Sequence, residues 1–254
     1  MTPILEARGL SRSFGHVRAL DGADFEVQPG EIVGLIGDNG AGKSTLIKAL
    51  SGNLDLDDGE IRFEGNRVEL SGPRHAEELG IEVVYQDLAL APHLNPVQNV
   101  FLGREILRRG LLGRFGFMDE KEMRRSAAQS FAELGATVKS LGSPVGSMSG
   151  GQRQGIAIAR AMAWANKVLI LDEPTAALGV VQTANVLESI KRVRDTGVAV
   201  VFISHSMPHV LDVCDRIQVL RLGKRVATFT GSETSVEELV GAMTGALDSR
   251  EGAA

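Results

Sequence analysis

The chain has 254 residues, enough for one large α/β domain or two modest ones, each with a buried core. Its hydrophobic fraction of 43% is typical of a globular protein, and its net charge of −5 argues against a surface dedicated to nucleic acid. The single cysteine, Cys214, excludes an internal disulfide and a cysteine zinc cluster, and no apolar run reaches the ~18–20 residues of a membrane span.

The first part of the chain predicts β-strands. Ala23, Phe25 and Val27 alternate with polar residues, which is the period of a half-buried strand. Pro29-Gly30 then predicts a turn into residues 31–36 (EIVGLI), which have the composition of a buried strand. The N-terminus lacks the pattern of a signal peptide, and the cysteine usage fits a reducing cytoplasm, so we expect a cytoplasmic chain without a membrane span.

A glycine-rich segment follows this strand and matches the phosphate-loop pattern G-x-x-x-x-G-K-[ST] at every specified position. Apolar residues at helical spacing come next, so the order is strand, loop and helix, whereas a glycine-rich turn in an unrelated α/β protein would not require this context. Glycines let backbone amides approach a phosphate chain, and the start of the helix attracts anions. We expect Lys43 to reach the β- and γ-phosphates and the Ser44 hydroxyl to bind Mg²⁺. The residues predicted to contact the nucleotide here are Gly37, Asp38, Asn39, Gly40, Ala41, Gly42, Lys43, Ser44 and Thr45.

The middle of the chain changes character after a predicted second parallel strand at residues 81–85, which ends before Gln86. Residues 88–163 predict a helical insertion, in which Asp119 and Glu122 resemble a helix cap. Another helix is expected to begin near Gly150.

An acidic pair, Asp172-Glu173, follows the apolar run at residues 168–171. That run and residues 198–203 are unbroken apolar segments of strand length, which favours parallel strands buried on both faces. Downstream of a phosphate loop, Asp172 is expected to hold Mg²⁺, usually through water, and Glu173 to polarise the attacking water. The alternative for the pair alone is a loop that merely begins with two acidic residues.

The segment MSGGQ, in which Gly150 lies 22 residues before Asp172, predicts a second anion-binding helix start. Its contributing residues are Ser149, Gly150, Gly151 and Gln152. A domain with one phosphate loop does not need a second anion-binding site for its own nucleotide. We therefore expect this helix start to bind the nucleotide of another molecule.

With these motifs in this order, the chain resembles the ATPase subunits of ATP-binding cassette (ABC) transporters from about Leu5 to Gly245. The resemblance implies an ATP-hydrolysing enzyme with ATP and Mg²⁺ as ligands, in which two copies pair head to tail. It assigns Phe14 to stacking on adenine, although a core phenylalanine would look the same in the sequence. It also assigns Gln86 to Mg²⁺ and the water, and His205 to the γ-phosphate and to Glu173, roles that a lone glutamine or histidine would not indicate. The chain departs from the family pattern at Met148, where leucine is usual, and at Gly179, where an aspartate that links the two copies is usual.

The fold implied is α/β: a phosphate-loop NTPase core with a mostly parallel sheet, an N-terminal antiparallel β part and an inserted helical part. We predict a single domain over 1–247, with 1–87 and 164–247 as the core, 88–163 as the helical part, and 248–254 as a frayed tail.

Three segments narrow the resemblance: GDNGAGKSTLIKALSG at 37–52, FLGRE at 101–105 and AALGV at 176–180. They look most like ATPases of bacterial simple-sugar importers of the ribose, xylose or fructose type. That resemblance implies a homodimer at the cytoplasmic face of the inner membrane, bound to permease subunits and served indirectly by an extracytoplasmic solute-binding protein, with no nucleic-acid partner. The alternatives are an importer of another solute, an ABC protein that acts on DNA or ribosomes, and a module that binds ATP without hydrolysing it.

Overall fold

The computed structural model describes residues 2–136, 138 and 140–246. In this part of the chain the strands are β1 (Leu5–Phe14), β2 (Val17–Val27), β3 (Ile32–Ile36), β4 (Asp58–Phe63), β5 (Asn66–Val68), β6 (Ile81–Val84), β7 (Val168–Asp172), β8 (Ala199–Ile203), β9 (Arg216–Arg221) and β10 (Lys224–Thr230). The α-helices are α1 (Lys43–Leu50), α2 (Pro73–Glu78), α3 (Pro96–Phe101), α4 (Leu111–Arg114), α5 (Glu120–Glu133), α6 (Gly150–Trp164), α7 (Val180–Asp195), α8 (Met207–Val213) and α9 (Val236–Thr244).

A four-stranded antiparallel sheet is formed early in the chain, in the order β2-β1-β4-β5. Leu5 pairs with Val27 on one side and with Phe63 on the other. Ala23, Phe25 and Val27 are buried while the residues between them are not, so the alternating pattern correctly predicted one buried face.

A six-stranded sheet has the order β10-β9-β3-β8-β7-β6. Strand β3 runs parallel to β8 and β9, β7 runs parallel to β8, and β10 pairs antiparallel with β9. Every residue of β3, β7 and β8 is buried, which confirms the prediction made from their unbroken apolar runs. Because these three strands are parallel, the residues that follow them lie at one edge of the sheet, where ligands of open α/β sheets bind.

The described residues divide into two compact units. The first comprises residues up to 83, residues 165–173 and residues from 190 onward, and it contains the antiparallel sheet and β3, β7, β8, β9 and β10. The second comprises residues 84–164 and 174–189. The domain limits expected from the sequence stay predictions, and the predicted tail 248–254 lies outside the described residues.

Helices α3, α5 and α6 pack together in the second unit. Met123, Ala127 and Phe131 of α5 are buried at the predicted helical spacing, and the Asp119 side chain accepts a hydrogen bond from the Glu122 amide. Asn99 of α3 is fully buried. This unit is therefore helical, as the sequence indicated.

Several elements were not predicted. Helix α7 buries Val186, Leu187 and Ile190, an apolar spacing that could have revealed it. An antiparallel bridge between Leu107 and Met118 forms a hairpin within the helical unit. Across the described ranges, no helix has the length and apolar character needed to cross a membrane.

Candidate functional site

The phosphate loop joins the end of β3 to the start of α1. Its backbone turns back on itself, since the Ala41 amide donates to the Asp38 carbonyl oxygen at 3.0 Å. The Lys43 Nζ donates to the carbonyl oxygens of Gly37 at 2.6 Å and Asp38 at 3.0 Å. The lysine ammonium is thus held inside the loop, where it can pair with the negative charge of a phosphate enclosed by the same backbone.

Glycine is required at position 42 for two reasons. Its φ of 104° lies in the left-handed region, and a Cβ would lie 2.5 Å from the Ala19 carbonyl oxygen. Gly42 is also the N-cap of α1, with no side chain to bond the first amides of the helix. Those amides have no intrahelical acceptor, so they can receive an anion.

The acidic pair lies at the same edge of the sheet. Asp172 ends β7, and Glu173 follows it with φ 53°, an uncommon conformation for a residue with a side chain. The Glu173 amide donates to the Ile203 carbonyl oxygen at the end of β8, at 3.0 Å. This bond and the left-handed turn direct the chain away from the strand and fix the Glu173 backbone beside β8.

His205 follows β8 and lies beside Glu173. The His205 Nε2 is 3.3 Å from the Glu173 Oε1, and the Glu173 side chain is only 12% exposed. The pairing predicted from the resemblance is therefore present as a contact, while the two catalytic roles stay predictions.

Charge couples the loop to the acidic pair. Burial raises the pKa of the Asp172 carboxyl, an effect that the positive charges of Lys43 and His205 oppose. Burial likewise raises the pKa of Glu173, reinforced by Asp172 and opposed by His205 and Lys43. Burial lowers the pKa of Lys43, and the nearby carboxylates oppose that shift. Lys43, Asp172 and Glu173 thus have mutually dependent ionisation within one charged cluster, a feature common at functional sites.

The donor set fits a magnesium ion that arrives with a nucleotide. The exposed Ser44 hydroxyl and the Asp172 carboxylate are hard oxygen donors, and Mg²⁺ commonly takes one or two protein ligands with substrate phosphates and water. Within the described residues, no group of three or more His, Cys, Asp or Glu could hold a metal by itself. The residues present therefore suit a metal bound together with phosphate.

Phe14, at the end of β1, is 49% exposed, which excludes the alternative of a core phenylalanine. The Arg12 guanidinium carbon lies 5.3 Å from the centre of its ring. The sequence interpretation did not include Arg12, although its i, i+2 spacing from Phe14 on a strand could have indicated a shared face. The adenine-stacking role of Phe14 stays a prediction.

The MSGGQ segment and Gln86 belong to the second unit. The Ser149 amide donates to the Gln152 Oε1 at 3.1 Å, and the Gln152 amide donates to the Ser149 Oγ at 3.3 Å. This reciprocal cap begins α6 with an exposed Ser149. Gln86 is exposed after β6.

Gly179 does not need to be glycine for backbone reasons. Its carbonyl oxygen accepts from the Thr183 amide at 2.9 Å in the first turn of α7. A Cβ there would meet only the Gln182 Oε1 at 2.8 Å and the carbon that carries it, the movable end of a flexible side chain. An aspartate would therefore fit at this position.

Comparisons with known proteins find relatives in both sequence and structure. A family model described as ABC transporter matches residues 20–176. The chain is 50% identical to the fructose import ATP-binding protein FrcA of Rhizobium meliloti, over 97% of this chain and 95% of that protein. It is 42% identical to the xylose/arabinose import ATP-binding protein XylG of Sulfolobus acidocaldarius, over 96% of this chain and 95% of that one.

Other relatives are longer. The chain is 43% identical to the ribose import ATP-binding protein RbsA 2 of Burkholderia pseudomallei over 96% of its own length, but it spans only 47% of that protein. Among solved structures, a nucleotide-free ATP-binding cassette from an ABC transporter matches with a TM-score of 0.78 and 26% identity, over 94% of this chain and 96% of that one. A dimeric post-hydrolysis cassette bound to ADP and phosphate matches with a TM-score of 0.77 and 23% identity, over 89% of this chain and 98% of that one.

Proposed function

The chain belongs to the ABC transporter family, and on that premise we propose that it is the ATP-hydrolysing subunit of an importer for a simple sugar. Support for the cargo class comes from the relatives, whose names specify import of fructose, xylose or arabinose, and ribose. Because those names differ, they favour a class of simple sugars and do not choose one member.

The observation that carries the proposal is the contact of Glu173 with His205 beside Asp172 and the phosphate loop. Lys43 and the loop amides hold the phosphates of ATP in place. Glu173 takes a proton from the attacking water as the bond between the γ-phosphorus and the bridging oxygen breaks, which leaves ADP and phosphate. His205 holds the carboxylate and the γ-phosphate in position.

Ser44 and Asp172 are the residues that would hold Mg²⁺. When bound, this ion supplies positive charge to the phosphate oxygens. The resemblance also assigns Gln86 to Mg²⁺ and the water, and that assignment stays a prediction.

The exposed start of α6 fits a role outside its own chain. Ser149, Gly150 and Gly151 form a helix N-terminus that can accept an anion, and the chain already has one phosphate loop. We assign this start to the nucleotide of a second copy, so that the active assembly is a head-to-tail dimer with ATP between the copies. Closure on ATP and reopening after hydrolysis then drive the transport cycle.

The proposed partners are permease subunits at the cytoplasmic face of the inner membrane and, indirectly, an extracytoplasmic solute-binding protein. Sugar selection belongs to those partners, because the residues described in the site contact only nucleotide, metal and water in this scheme. No observation favours the alternative of a DNA or ribosome partner.

The test is a pull-down of the tagged Glu173→Gln chain, which should trap the ATP-bound dimer, from mild-detergent extracts of its own cells with Mg-ATP. Mass spectrometry should identify a multi-span permease together with a sugar-type solute-binding protein. The exposed Glu237→Gln variant serves as the control that still hydrolyses ATP. Recovery of ribosomes or DNA-repair proteins without a permease would refute the transport proposal and leave the ATPase assignment intact.

A further inference from the structure

A small hairpin in the second unit exposes an unusual amount of apolar surface. It comprises residues 102–118, here called the arginine-apolar hairpin, and its tip is the short helix α4. Its exposed large apolar side chains are Leu102, Leu107, Leu111, Leu112, Phe115, Phe117 and Met118. Leu111 is 75% exposed and Phe115 is 77% exposed. Clustered apolar exposure of this kind marks a binding surface for a protein or a membrane.

Backbone hydrogen bonds and close packing give the hairpin a defined conformation. Its two arms pair through the Arg108 amide, which donates to the Phe117 carbonyl oxygen at 2.9 Å. The Phe117 amide donates to the Leu112 carbonyl oxygen at 3.1 Å, which fixes the tip against the second arm. Gly113 lies so close to the first arm that a Cβ would clash with the Arg108 carbonyl oxygen. These contacts hold the apolar side chains of the tip outward.

The same hairpin is strongly cationic in a chain whose net charge is −5. It contains four arginines, Arg104, Arg108, Arg109 and Arg114, and one acidic residue, Glu105. The Arg104 guanidinium carbon lies 5.2 Å from the centre of the Trp164 ring, at the base of the hairpin. Arg108, Arg109 and Arg114 are exposed near the tip, interleaved with the apolar side chains.

Charge decides which occupant suits this surface. A second copy docked hairpin to hairpin would bring two cationic clusters together, which is unfavourable. A bilayer with anionic lipids offers both complements: phosphate headgroups for arginine and an acyl region for leucine and phenylalanine. Arginine stems can also lie along the apolar region while their charged ends reach the headgroups.

We propose that the arginine-apolar hairpin binds the surface of an anionic membrane directly, with Leu111 and Phe115 inserted among the lipids and Arg108, Arg109 and Arg114 on their phosphates. This contact goes beyond the attachment through a permease in the proposed function. It depends on the hairpin alone and not on the cargo or on ATP hydrolysis.

The experiment is vesicle flotation with the purified full-length chain and protein-free vesicles. One set contains phosphatidylcholine and phosphatidylglycerol in a 3:1 ratio, and the other contains phosphatidylcholine alone. We expect the anionic vesicles to bind the chain about tenfold more tightly than the neutral ones, and added salt to weaken that binding.

Two variants test the two halves of the surface. Leu111→Glu/Phe115→Glu and Arg108→Gln/Arg109→Gln/Arg114→Gln should each weaken binding to the anionic vesicles by about tenfold or more. Matched controls carry the same charge changes at exposed positions elsewhere, and they should bind as the wild type does. These controls are Leu222→Glu/Val240→Glu and Arg67→Gln/Arg74→Gln/Arg124→Gln.

Equal binding by the wild type and the hairpin variants would overturn the proposal. Patch-dependent retention on the cells' own membranes with no binding to protein-free vesicles would also overturn it, because a membrane protein would then be the occupant. The ATPase rate is measured in parallel and should stay at the wild-type value in every variant. The vesicle experiment therefore tests membrane binding separately from the proposed ATPase function.

Discussion

Replacing Glu173 by Gln removes the proposed base with minimal change in shape. Gln keeps the volume of the side chain and can still bond the His205 Nε2, which lies 3.3 Å from the Glu173 Oε1. The left-handed backbone and the amide bond to Ile203 need not change. What is lost is the ability to accept a proton. A positioned base contributes about 10²–10⁴-fold to a rate, which corresponds to about 3–5 kcal/mol of barrier.

We expect the larger end of this range because the Glu173 side chain is 12% exposed, so bulk water cannot easily replace it as the base. The assay is steady-state phosphate release with Mg-ATP, alongside equilibrium binding of ATP to the same variant. Turnover should fall by about 10³–10⁴-fold while binding stays within about threefold of the wild type. Glu237→Gln, an exposed change of the same kind, should leave both unchanged. Turnover of Glu173→Gln within threefold of the wild type would refute the assignment of the base.

Three further predictions follow from the geometry. Burial raises the pKa of Glu173 above its ordinary 4.5. The protonated side chain therefore contributes stability that is fully present below pH 4.5 and is lost as the pH rises through the folded-state pKa. Without nucleotide, Glu173→Gln should melt at a higher temperature than the wild type at pH 8, with a smaller difference at pH 5. Asn99→Ala should lower the free energy of unfolding by about 2–4 kcal/mol in denaturant titrations, because the buried Asn99 side chain bonds several backbone groups of residues 91–95, among them both the amide and the carbonyl of Ala91; a loss below about 0.5 kcal/mol would contradict this reason. Gly179→Asp should leave the melting temperature within about 2 °C of the wild type or raise it, since space is available and aspartate suits a helix start; any change in the cooperativity of ATP hydrolysis then reports on coupling between copies, and a large loss of stability would show that position 179 requires glycine.

The parts of the fold that the sequence predicted well are those in which one local pattern has one physical cause. Unbroken apolar runs predicted β7 and β8 because a parallel strand buried on both faces has no polar side to display. The phosphate loop was predictable because position 42 requires glycine. Its φ is in the left-handed region, and a Cβ would clash with the Ala19 carbonyl oxygen. The start of α9 has the same kind of local cause, since Ser235 and Glu238 form a reciprocal cap from an S-x-x-E spacing that is visible in the sequence.

The remaining features depend on contacts between distant segments. The left-handed conformation of Glu173 is held by Ile203, thirty residues later, and no pattern around position 173 encodes it. The proximity of His205 follows from the pairing of β7 with β8, which a single sequence does not display. The hairpin at residues 102–118 was included in the helical insertion because its one antiparallel bridge is too short to produce an alternating pattern.

In the absence of nucleotide, the site lowers the stability of the chain, because it buries two neighbouring carboxyl groups. Asp172 and Glu173 are adjacent carboxyls whose pKa values burial raises, so their ionised forms are disfavoured where they stand. Lys43 and His205 compensate only in part, since both carboxyl shifts remain upward. Positive charge supplied with the nucleotide would complete the compensation at Asp172 and favour the ionised carboxylate. The partly compensated charge at Asp172 therefore favours binding of a cation that arrives with the nucleotide.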